Sequence, residues 1–242
     1  MYTSRGFIVG ALALVLWASL ARAAEPVGVA AQPEDGRRTI AVMYFQNNAM
    51  LNKEAMAPLE KGLTDMLITE LSKIGALKVV ERAQLQQLLK EMGLGASGAM
   101  DPETAQQMGK LLGAETLLLG SFATGMEGKK MRIDARIVET ETGVTLKAEE
   151  MTDKVKSLFK MVKKLTKKIA KGLDVKLTKE DQKRLKKTEN ESFQAAMYYS
   201  KGLDFEDEEE YEKALEMYEK ALDINPDYTK AKVRIAAVEE EL

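Results

Sequence analysis

The sequence has 242 residues and a formal net charge of −2, and it contains no cysteine and no histidine. These absences exclude disulfides, thiol nucleophiles, thiolate metal sites and every catalytic arrangement that needs an imidazole. Paired carboxylates and a phosphate-binding loop remain as routes to catalysis. The length allows one sizeable domain, or one domain with a small additional module.

The N-terminus has the pattern of an export signal at residues 1–23. Arg5 is followed by 16 uncharged residues, 6–21, and Ala21-Arg22-Ala23 has the small-x-small form of a cleavage site. A permanent membrane anchor needs about 20 apolar residues, so this run favours a cleaved signal over a retained anchor. No cysteine follows that could carry a lipid. We therefore expect an exported, periplasmic protein of a Gram-negative-type envelope, free or associated with the outer membrane.

Charge divides the remaining chain into three blocks. Residues 24–151 carry 14 basic and 18 acidic side chains, residues 152–188 carry 14 and 4, and residues 189–242 carry 6 and 16. The net charges are −4, +10 and −10 in that order. Such asymmetry is typical of separate modules or opposed surfaces.

The first block alternates between strand and helix patterns after a flexible leader at 24–37. Apolar residues at steps of three and four predict helices, and short runs of β-branched and apolar residues predict buried strands. The predicted elements are a strand at 39–45, a helix at 55–74, a strand at 77–80 and a helix at 82–92. Another helix follows, with Asp101 as its N-cap and Pro102 in its first turn.

Three strands in a meander complete this block. Residues 116–123 are the most apolar stretch after the signal and predict a central strand. Residues 131–137 alternate between apolar and charged, which predicts a strand with one solvated face. A turn at 141–143 leads to a partner strand at 144–148. The whole pattern indicates an α/β domain with a mixed sheet flanked by helices.

The basic block opens with a strongly amphipathic helix at 153–173. In one interpretation its apolar stripe covers the sheet and its lysines are solvated. In the other, the lysines contact an anionic surface or partner, whereas nucleic acid is not expected in an exported protein. The candidates for such contact are seven of its eight lysines, Lys156, Lys160, Lys163, Lys164, Lys167, Lys168 and Lys171.

Four segments carry a resemblance to a known family. They are IAVMYFQN (40–47), KVVERAQLQQLLKEMGLGASG (78–98), ETAQQMGKLLGAETLLLGSF (103–122) and ETETGVT (139–145). In this order and spacing they resemble the CsgG family, the curli-type secretion and assembly components of the outer membrane. The resemblance implies an α/β domain at 38–174 and suggests ring-like oligomers. Flagellar outer-membrane proteins and activators of peptidoglycan synthases are related to this family through the same scaffold.

The sequence departs from the pore-forming member of that family. A lipidated cysteine is absent, and the turn at 124–130 is short and polar. A transmembrane strand needs roughly 9–11 residues of alternating pattern, so this turn has no room for a membrane-spanning hairpin. We therefore expect the scaffold without the pore.

The C-terminal block resembles a tetratricopeptide repeat (TPR) at 195–228. The signature residues are Tyr198, Gly202, Phe205, Tyr211, Ala214, Tyr218, Ala221 and Pro226. Thr178 and Asp181 start a helix within a charged linker at 175–191, and 192–242 forms the TPR hairpin with a capping helix at 229–241. A lone repeat is short of the three that are usually needed for stability, so it must lean on the first domain or on another copy.

The groove of such a repeat is the candidate protein-binding site. By spacing it is lined by Tyr199, Leu203, Glu206, Lys230 and Arg234. Lys230 and Arg234 occupy two positions at which carboxylate-clamp repeats carry basic residues, whereas Tyr199 and Leu203 replace a Lys and an Asn. Carboxylate capture and ordinary packing or peptide contact both stay open.

Two further patterns have simpler interpretations. Residues 93–98 match G-x-G-x-x-G, but a predicted helix precedes them where a dinucleotide site needs a strand, so no cofactor is expected. The acidic run, Asp204 and 206–210, lacks the glycine and spacing of a calcium loop, so no metal is expected. We expect a solvated turn there, with contact to the basic block as the alternative.

We therefore expect a non-catalytic periplasmic scaffold or adaptor that supports a cell-envelope machine for outer-membrane secretion or surface assembly. Its partners would be envelope proteins, bound through the TPR, and further copies of itself. The alternatives are a subunit of an outer-membrane transport channel and a regulator of a peptidoglycan-synthesising enzyme. No pair of carboxylates has a spacing that supports catalysis.

Overall fold

The computed structural model describes residues 36–94, 100–186 and 192–242. The predicted signal peptide at 1–23 and nearly all of the predicted leader lie outside these ranges. The last four residues of the glycine-rich segment at 93–98 and the end of the charged linker also lie outside them.

The order of elements agrees with the predicted alternation of strands and helices. The strands are β1 (Arg38–Val42), β2 (Gln46–Asn47), β3 (Leu77–Val79), β4 (Thr116–Thr124), β5 (Lys130–Glu139) and β6 (Thr145–Lys154). The helices are α1 (Lys53–Met56), α2 (Leu59–Ser72), α3 (Arg82–Glu91), α4 (Pro102–Leu111), α5 (Leu158–Gly172), α6 (Lys179–Lys186), α7 (Phe193–Asp207), α8 (Tyr211–Ile224) and α9 (Thr229–Glu239).

The strands form one mixed sheet in the order β3-β1-β4-β5-β6, with β2 paired to the far part of β4. The pairs β1–β3, β1–β4 and β2–β4 are parallel, and β4, β5 and β6 form an antiparallel meander. Helices lie on both faces of the sheet, which is the predicted fold class.

Helices cover one face of the sheet and part of the other, and β5 has the predicted alternation with one solvated side. Met131, Ile133 and Ile137 of β5 are buried in a core that also contains the apolar faces of α2 and α5. A second core lies on the opposite face, where Leu85 of α3 and Met108 of α4 pack against β1 and β4. Asp101 caps α4 through hydrogen bonds from the backbone N–H groups of residues 103 and 104, as predicted.

Several boundaries differ from the prediction. The strand predicted at 39–45 ends at Val42, and the strand predicted at 144–148 runs from Thr145 to Lys154. The helix predicted at 55–74 is divided at Pro58, which lacks the N–H needed to continue α1 but is compatible with the start of α2. The basic helix begins at Leu158 rather than at 153, because β6 runs to Lys154 opposite Lys130 of β5. The long β5 strand offers partners over that whole length, and pairing outweighs the helical pattern there.

The helices α7, α8 and α9 form a C-terminal helical unit with its own core. Tyr199, Tyr218 and Tyr228 are buried at its centre, with ring centroids 5.1 Å apart for the pair Tyr199–Tyr228 and 5.5 Å for Tyr199–Tyr218. Gly202 lies against the ring of Tyr218, where a Cβ atom would come within 2.3 Å of the ring. The glycine therefore sets how closely α7 and α8 approach.

The segment that joins the domain to this unit is also anchored. Thr178 and Asp181 cap α6 reciprocally, since each side chain accepts a hydrogen bond from the backbone N–H of the other. Asp181 also accepts a hydrogen bond from the N–H of Gly75 at the end of α2. Within the described ranges, no helix combines the length and the apolar character that a bilayer span requires.

We expect Gly202→Ala to lower the free energy of unfolding by about 1–3 kcal/mol, because the added methyl group overlaps the Tyr218 ring. Urea unfolding followed by circular dichroism measures this. Gly125→Ala is the matched control, since no heavy atom lies within 4 Å of a Cβ atom there. Because alanine favours helices over glycine, an unchanged or raised stability for Gly202→Ala would contradict the tight crossing.

Candidate functional site: the groove of the C-terminal unit and helix α2

Of the five predicted groove residues, Tyr199 and Lys230 face helix α2 of the same chain, where both contact Asp65. Glu206 and Arg234 pair with each other, and Leu203 is buried in the core of the C-terminal unit. Tyr199, Leu203 and Glu206 lie on α7, and Lys230 and Arg234 lie on α9. Tyr199 and Leu203 are fully buried, and the other three side chains are partly covered. We predicted these residues to contact another protein; in the structure their groove is filled by α2.

Helix α2 can fill the groove because it is buried on two sides. Its apolar residues, such as Leu63 and Leu67, point into the core of the sheet domain. Its other side carries Lys61, Gly62 and Asp65, which are also buried. A Cβ atom at position 62 would overlap Ser200 of α7, so glycine is required for the two helices to touch.

Asp65 is the centre of a first cluster of polar contacts. Lys230 Nζ donates a hydrogen bond to the Asp65 backbone oxygen at 2.8 Å and another to its carboxylate. The Tyr199 hydroxyl donates to the same carboxylate at 3.0 Å. Burial would raise the pKa of Asp65, but the Lys230 ammonium, these hydrogen bonds and the nearby Arg82 hold that pKa below its ordinary value. Asp65 thus occupies the place of a captured carboxylate.

A second cluster joins the end of α7 to α2 and α3. Arg82 Nη1 donates to both oxygens of Asp207, at 2.7 and 2.9 Å. Lys61 Nζ lies 2.9 Å from Asp207 and 3.1 Å from Asp204. Burial raises the pKa of Asp204, against the effect of Lys61. The side chains of Arg82 and Asp207 are 4% and 6% exposed, so this is a buried ion pair.

Glu206 connects the two clusters from within the C-terminal unit. It accepts hydrogen bonds from Arg234 at 3.0 Å and from the Tyr218 hydroxyl at 2.6 Å. Arg82 Nη2 lies 3.8 Å from the same carboxylate. The two predicted clamp cations are therefore both engaged by carboxylates of this chain, Lys230 by Asp65 and Arg234 by Glu206.

The expectation of a solvated acidic turn at 204 and 206–210 needs correction. Asp204, Glu206 and Asp207 pair with cations of α2 and α3, and Glu209 forms an exposed ion pair with Lys90 at 2.6 Å. Among the described residues, none of these acidic side chains pairs with the basic block of the same chain, and contact with the basic block of another copy stays a prediction. The acidic residues meet single buried cations of the sheet domain, because a charge can be buried only if it is paired.

The seven lysines of the basic helix are arranged as expected for a helix that covers the sheet with its apolar stripe. The apolar stripe of α5 is buried in the core of the sheet domain. The lysines lie on the outer side, where Lys163 is half-buried and the other six are exposed. Lys168 pairs with Glu149 of β6 at 2.9 Å. Contact of these lysines with an anionic surface stays a prediction.

The patterns that could hold a cofactor or metal show no built site in the described residues. The glycine-rich segment begins directly after α3, so a helix precedes it, and residues 95–99 lie outside the described ranges. Those ranges contain no group of three or more acidic side chains that could hold a metal ion. A cleft of about 630 Å³ lies on the open part of the sheet, and its floor carries the ion pairs of Arg132 with Asp134 and Glu150.

Two families match the chain. The family described as "Curli production assembly/transport component CsgG" matches residues 24–126, and the tetratricopeptide repeat family matches residues 195–228. The predicted combination of a CsgG-like domain and a C-terminal TPR is therefore confirmed. The first match ends in the turn after β4, so that β5, β6 and α5 follow the matched range.

A curated relative is "Putative adenylate cyclase 3" of Rhizobium meliloti (strain 1021). It is 28% identical over 173 residues, which cover 69% of this chain. The chain spans 27% of the length of that protein, and the name describes the whole of it.

Several solved structures are similar at low identity. The LpoB C-terminal domain from Salmonella enterica is 18% identical, with a TM-score of 0.38, over 49% of this chain and 83% of that one. Lipoprotein GNA1162 from Neisseria meningitidis is 16% identical, with a TM-score of 0.40, over 55% and 99%. The PelC dodecamer from Paraburkholderia phytofirmans is 12% identical, with a TM-score of 0.37, over 58% and 89%. Similarity at this level does not transfer function.

We expect Lys230→Met to lower the free energy of unfolding by about 3–5 kcal/mol, because it leaves the buried Asp65 carboxylate without its cation. Lys220→Met removes an exposed lysine that pairs with Glu216 and is the control, with little expected change. Urea unfolding measures both. Equal stabilities would show that the C-terminal unit does not rest on α2 in solution.

Stability should fall as the pH drops below about 4, the ordinary range of an aspartate pKa. The pKa of Asp65 is lowered in the folded chain, so its stabilisation is present above the unfolded value and is lost as the pH falls through the folded value. Asp204, with its raised pKa, acts in the opposite direction.

The Asp65→Asn variant separates these effects. Its stability should decline less steeply in acid than that of the unchanged chain, whereas Asp223→Asn, at an exposed position, should keep the original slope. Urea unfolding at a series of acidic pH values measures the slopes. An unchanged slope for Asp65→Asn would contradict the role given to Asp65.

Proposed function

Because the chain joins a CsgG-like domain to a tetratricopeptide repeat, we propose that the protein is a non-catalytic periplasmic scaffold or adaptor. It supports the assembly or function of a cell-envelope machine, in outer-membrane secretion or surface assembly, by binding other proteins. Its partners are envelope proteins and further copies of the chain.

The observation that carries this proposal is the buried attachment of the repeat to α2. A repeat of this kind is a protein-binding element, and a single one needs support from a neighbour. The Lys61, Arg82 and Lys230 ion pairs supply that support and fix the direction in which the repeat points. The attachment holds the repeat in one orientation as long as no partner occupies its groove.

The carboxylates at this attachment give little support to a catalytic role. A carboxylate that acts as acid or base must reach its substrate. The side chains of Asp65 and Asp207 are only 11% and 6% exposed and lie between two parts of the protein, where lysine and arginine neutralise them. Their arrangement suits attachment.

The groove residues stay our candidate for partner binding. Their contacts within the chain determine when a partner can reach them. Tyr199 and Lys230 contact Asp65 of α2, so a partner reaches them only when the repeat moves away from α2. A partner that carries a carboxylate would then take the place of Asp65 on Lys230. Partner binding and docking on α2 are in this proposal mutually exclusive.

Cross-linking in envelope extracts, followed by affinity purification and mass spectrometry, tests the proposal. The unchanged chain should recover a defined component of a secretion or surface-assembly machine. Gly62→Val, which forces α2 and α7 apart, should recover more of that component, whereas Gly125→Ala should behave as the unchanged chain. Equal recovery by Gly62→Val would place the partner outside the groove.

Other results would select the alternatives. A peptidoglycan synthase as the recovered partner would select the regulator. Ring particles that need detergent would select the channel subunit. A chain that recovers no protein above background would contradict the adaptor itself.

A further inference from the structure

One end of the sheet carries a group of lysines around an exposed apolar side chain. The turn between β4 and β5 extends beyond the sheet and presents Met126, which is 75% exposed. A shallow hollow of about 640 Å³ lies beneath it. The hollow is lined by Gly125, Met126, Glu127, Lys129, Lys130, Lys154 and Lys156, which we call the basic hairpin surface.

The charges on the basic hairpin surface are not balanced within the chain. Glu127 lies 3.3 Å from Lys129 and is its only acidic residue. Lys130 and Lys154 are register partners on neighbouring antiparallel strands, so two ammonium groups project from directly opposed positions. Like charges in such a pair are destabilising. Among the described residues, no carboxylate comes within ion-pair distance of either, so the fold tolerates a repulsion that a ligand could relieve.

The positive area continues along the outer side of α5. Asp153, next to Lys154, has its pKa lowered by the hydrogen bond from the Lys154 backbone N–H and by the nearby Lys160 and Lys164. This single carboxylate therefore has three lysines around it. Two of the lysines that the sequence singled out on α5 are thus continuous with the basic hairpin surface.

Further apolar side chains are exposed at the same end of the sheet. The loop after β2 leaves the sheet beside the end of β4, and its Met50 and Leu51 are 71% and 48% exposed. At the opposite end Val144 is also exposed, at 56%, but the turn there contains Glu139 and Glu141 in place of lysines. Of these two described turns, the one at 125–129 is the one that joins an exposed apolar tip to excess positive charge.

We propose that the basic hairpin surface docks on a bilayer that contains anionic phospholipids. Lysines attract the phosphate headgroups and Met126 enters the interfacial region. Lysines without arginine suit a diffuse layer of headgroups better than a planar carboxylate or phosphate in a fixed position, which arginine binds through two bonds. The exposed apolar tip favours lipid over a soluble polyanion, which would give Met126 nothing to enter. This inference goes beyond the adaptor proposal and does not depend on it.

Vesicle co-sedimentation tests the proposal with the chain from Ala24 onward, which keeps every described residue and lacks the apolar N-terminal segment. One set of vesicles is phosphatidylcholine, and the other contains phosphatidylglycerol at one part to three of phosphatidylcholine. We expect binding to the second set only, weakening as salt is added. Each lysine near an anionic surface contributes about fivefold in affinity, so Lys130→Glu with Lys154→Glu should weaken binding by at least about 25-fold.

Matched variants separate the surface from net charge and general hydrophobicity. Lys110→Glu with Lys232→Glu changes two exposed lysines elsewhere and should leave binding close to the original. Met126→Ala should weaken it by about threefold, and Val144→Ala should not. All substituted positions are exposed, so circular dichroism should show unchanged folding.

Three results would overturn the proposal. One is equal binding to both sets of vesicles, or no binding to either set. Another is unchanged binding by the Lys130→Glu and Lys154→Glu variant. The third is insensitivity to Met126→Ala together with full competition by soluble polyphosphate, which would assign the surface to a polyanion rather than to a bilayer.

Discussion

The arrangement of the two modules depends on the burial of the Asp65 carboxylate. This carboxylate lies on the helix that forms the main core of the sheet domain, yet it faces away from that core. A buried charge must be paired, and its cation, Lys230, is supplied 165 residues later in the chain. The sheet domain without the repeat would expose an apolar and charged face of α2, and the repeat without the domain would lack its support.

The fold could be predicted where local pattern and tertiary environment agree. The alternation in β5, the cap of α4 by Asp101 and the glycine between α7 and α8 each have a local signature, and each is present in the structure. The boundaries at Pro58 and Lys154 could be predicted less accurately. There the outcome depends on what a neighbouring strand or helix offers, which the local pattern does not contain.

The groove residues could be identified from repeat spacing, but their occupant could not. The sequence pattern around Lys61 and Asp65 is typical of solvated positions on an amphipathic helix. A sequence does not distinguish a solvated charge from a charge that is paired across an interface. Gly62, between them, was the available signal, since glycine inside a helix often marks a close approach. The same ambiguity affected the acidic residues at the end of α7, whose partners lie more than 100 residues away in α2 and α3.

The aromatic residues of the chain give its C-terminal unit a distinct optical signature. Five of the seven tyrosines lie at positions 198–228, and the only tryptophan, Trp17, lies in the predicted signal peptide. In the docked state the Tyr199 and Tyr218 hydroxyls donate to carboxylates, an environment that quenches tyrosine emission. Once residues 1–23 are removed, the intrinsic fluorescence of the chain reports mainly on this unit. Departure of the repeat from α2 would therefore brighten the Tyr199 emission without any added label.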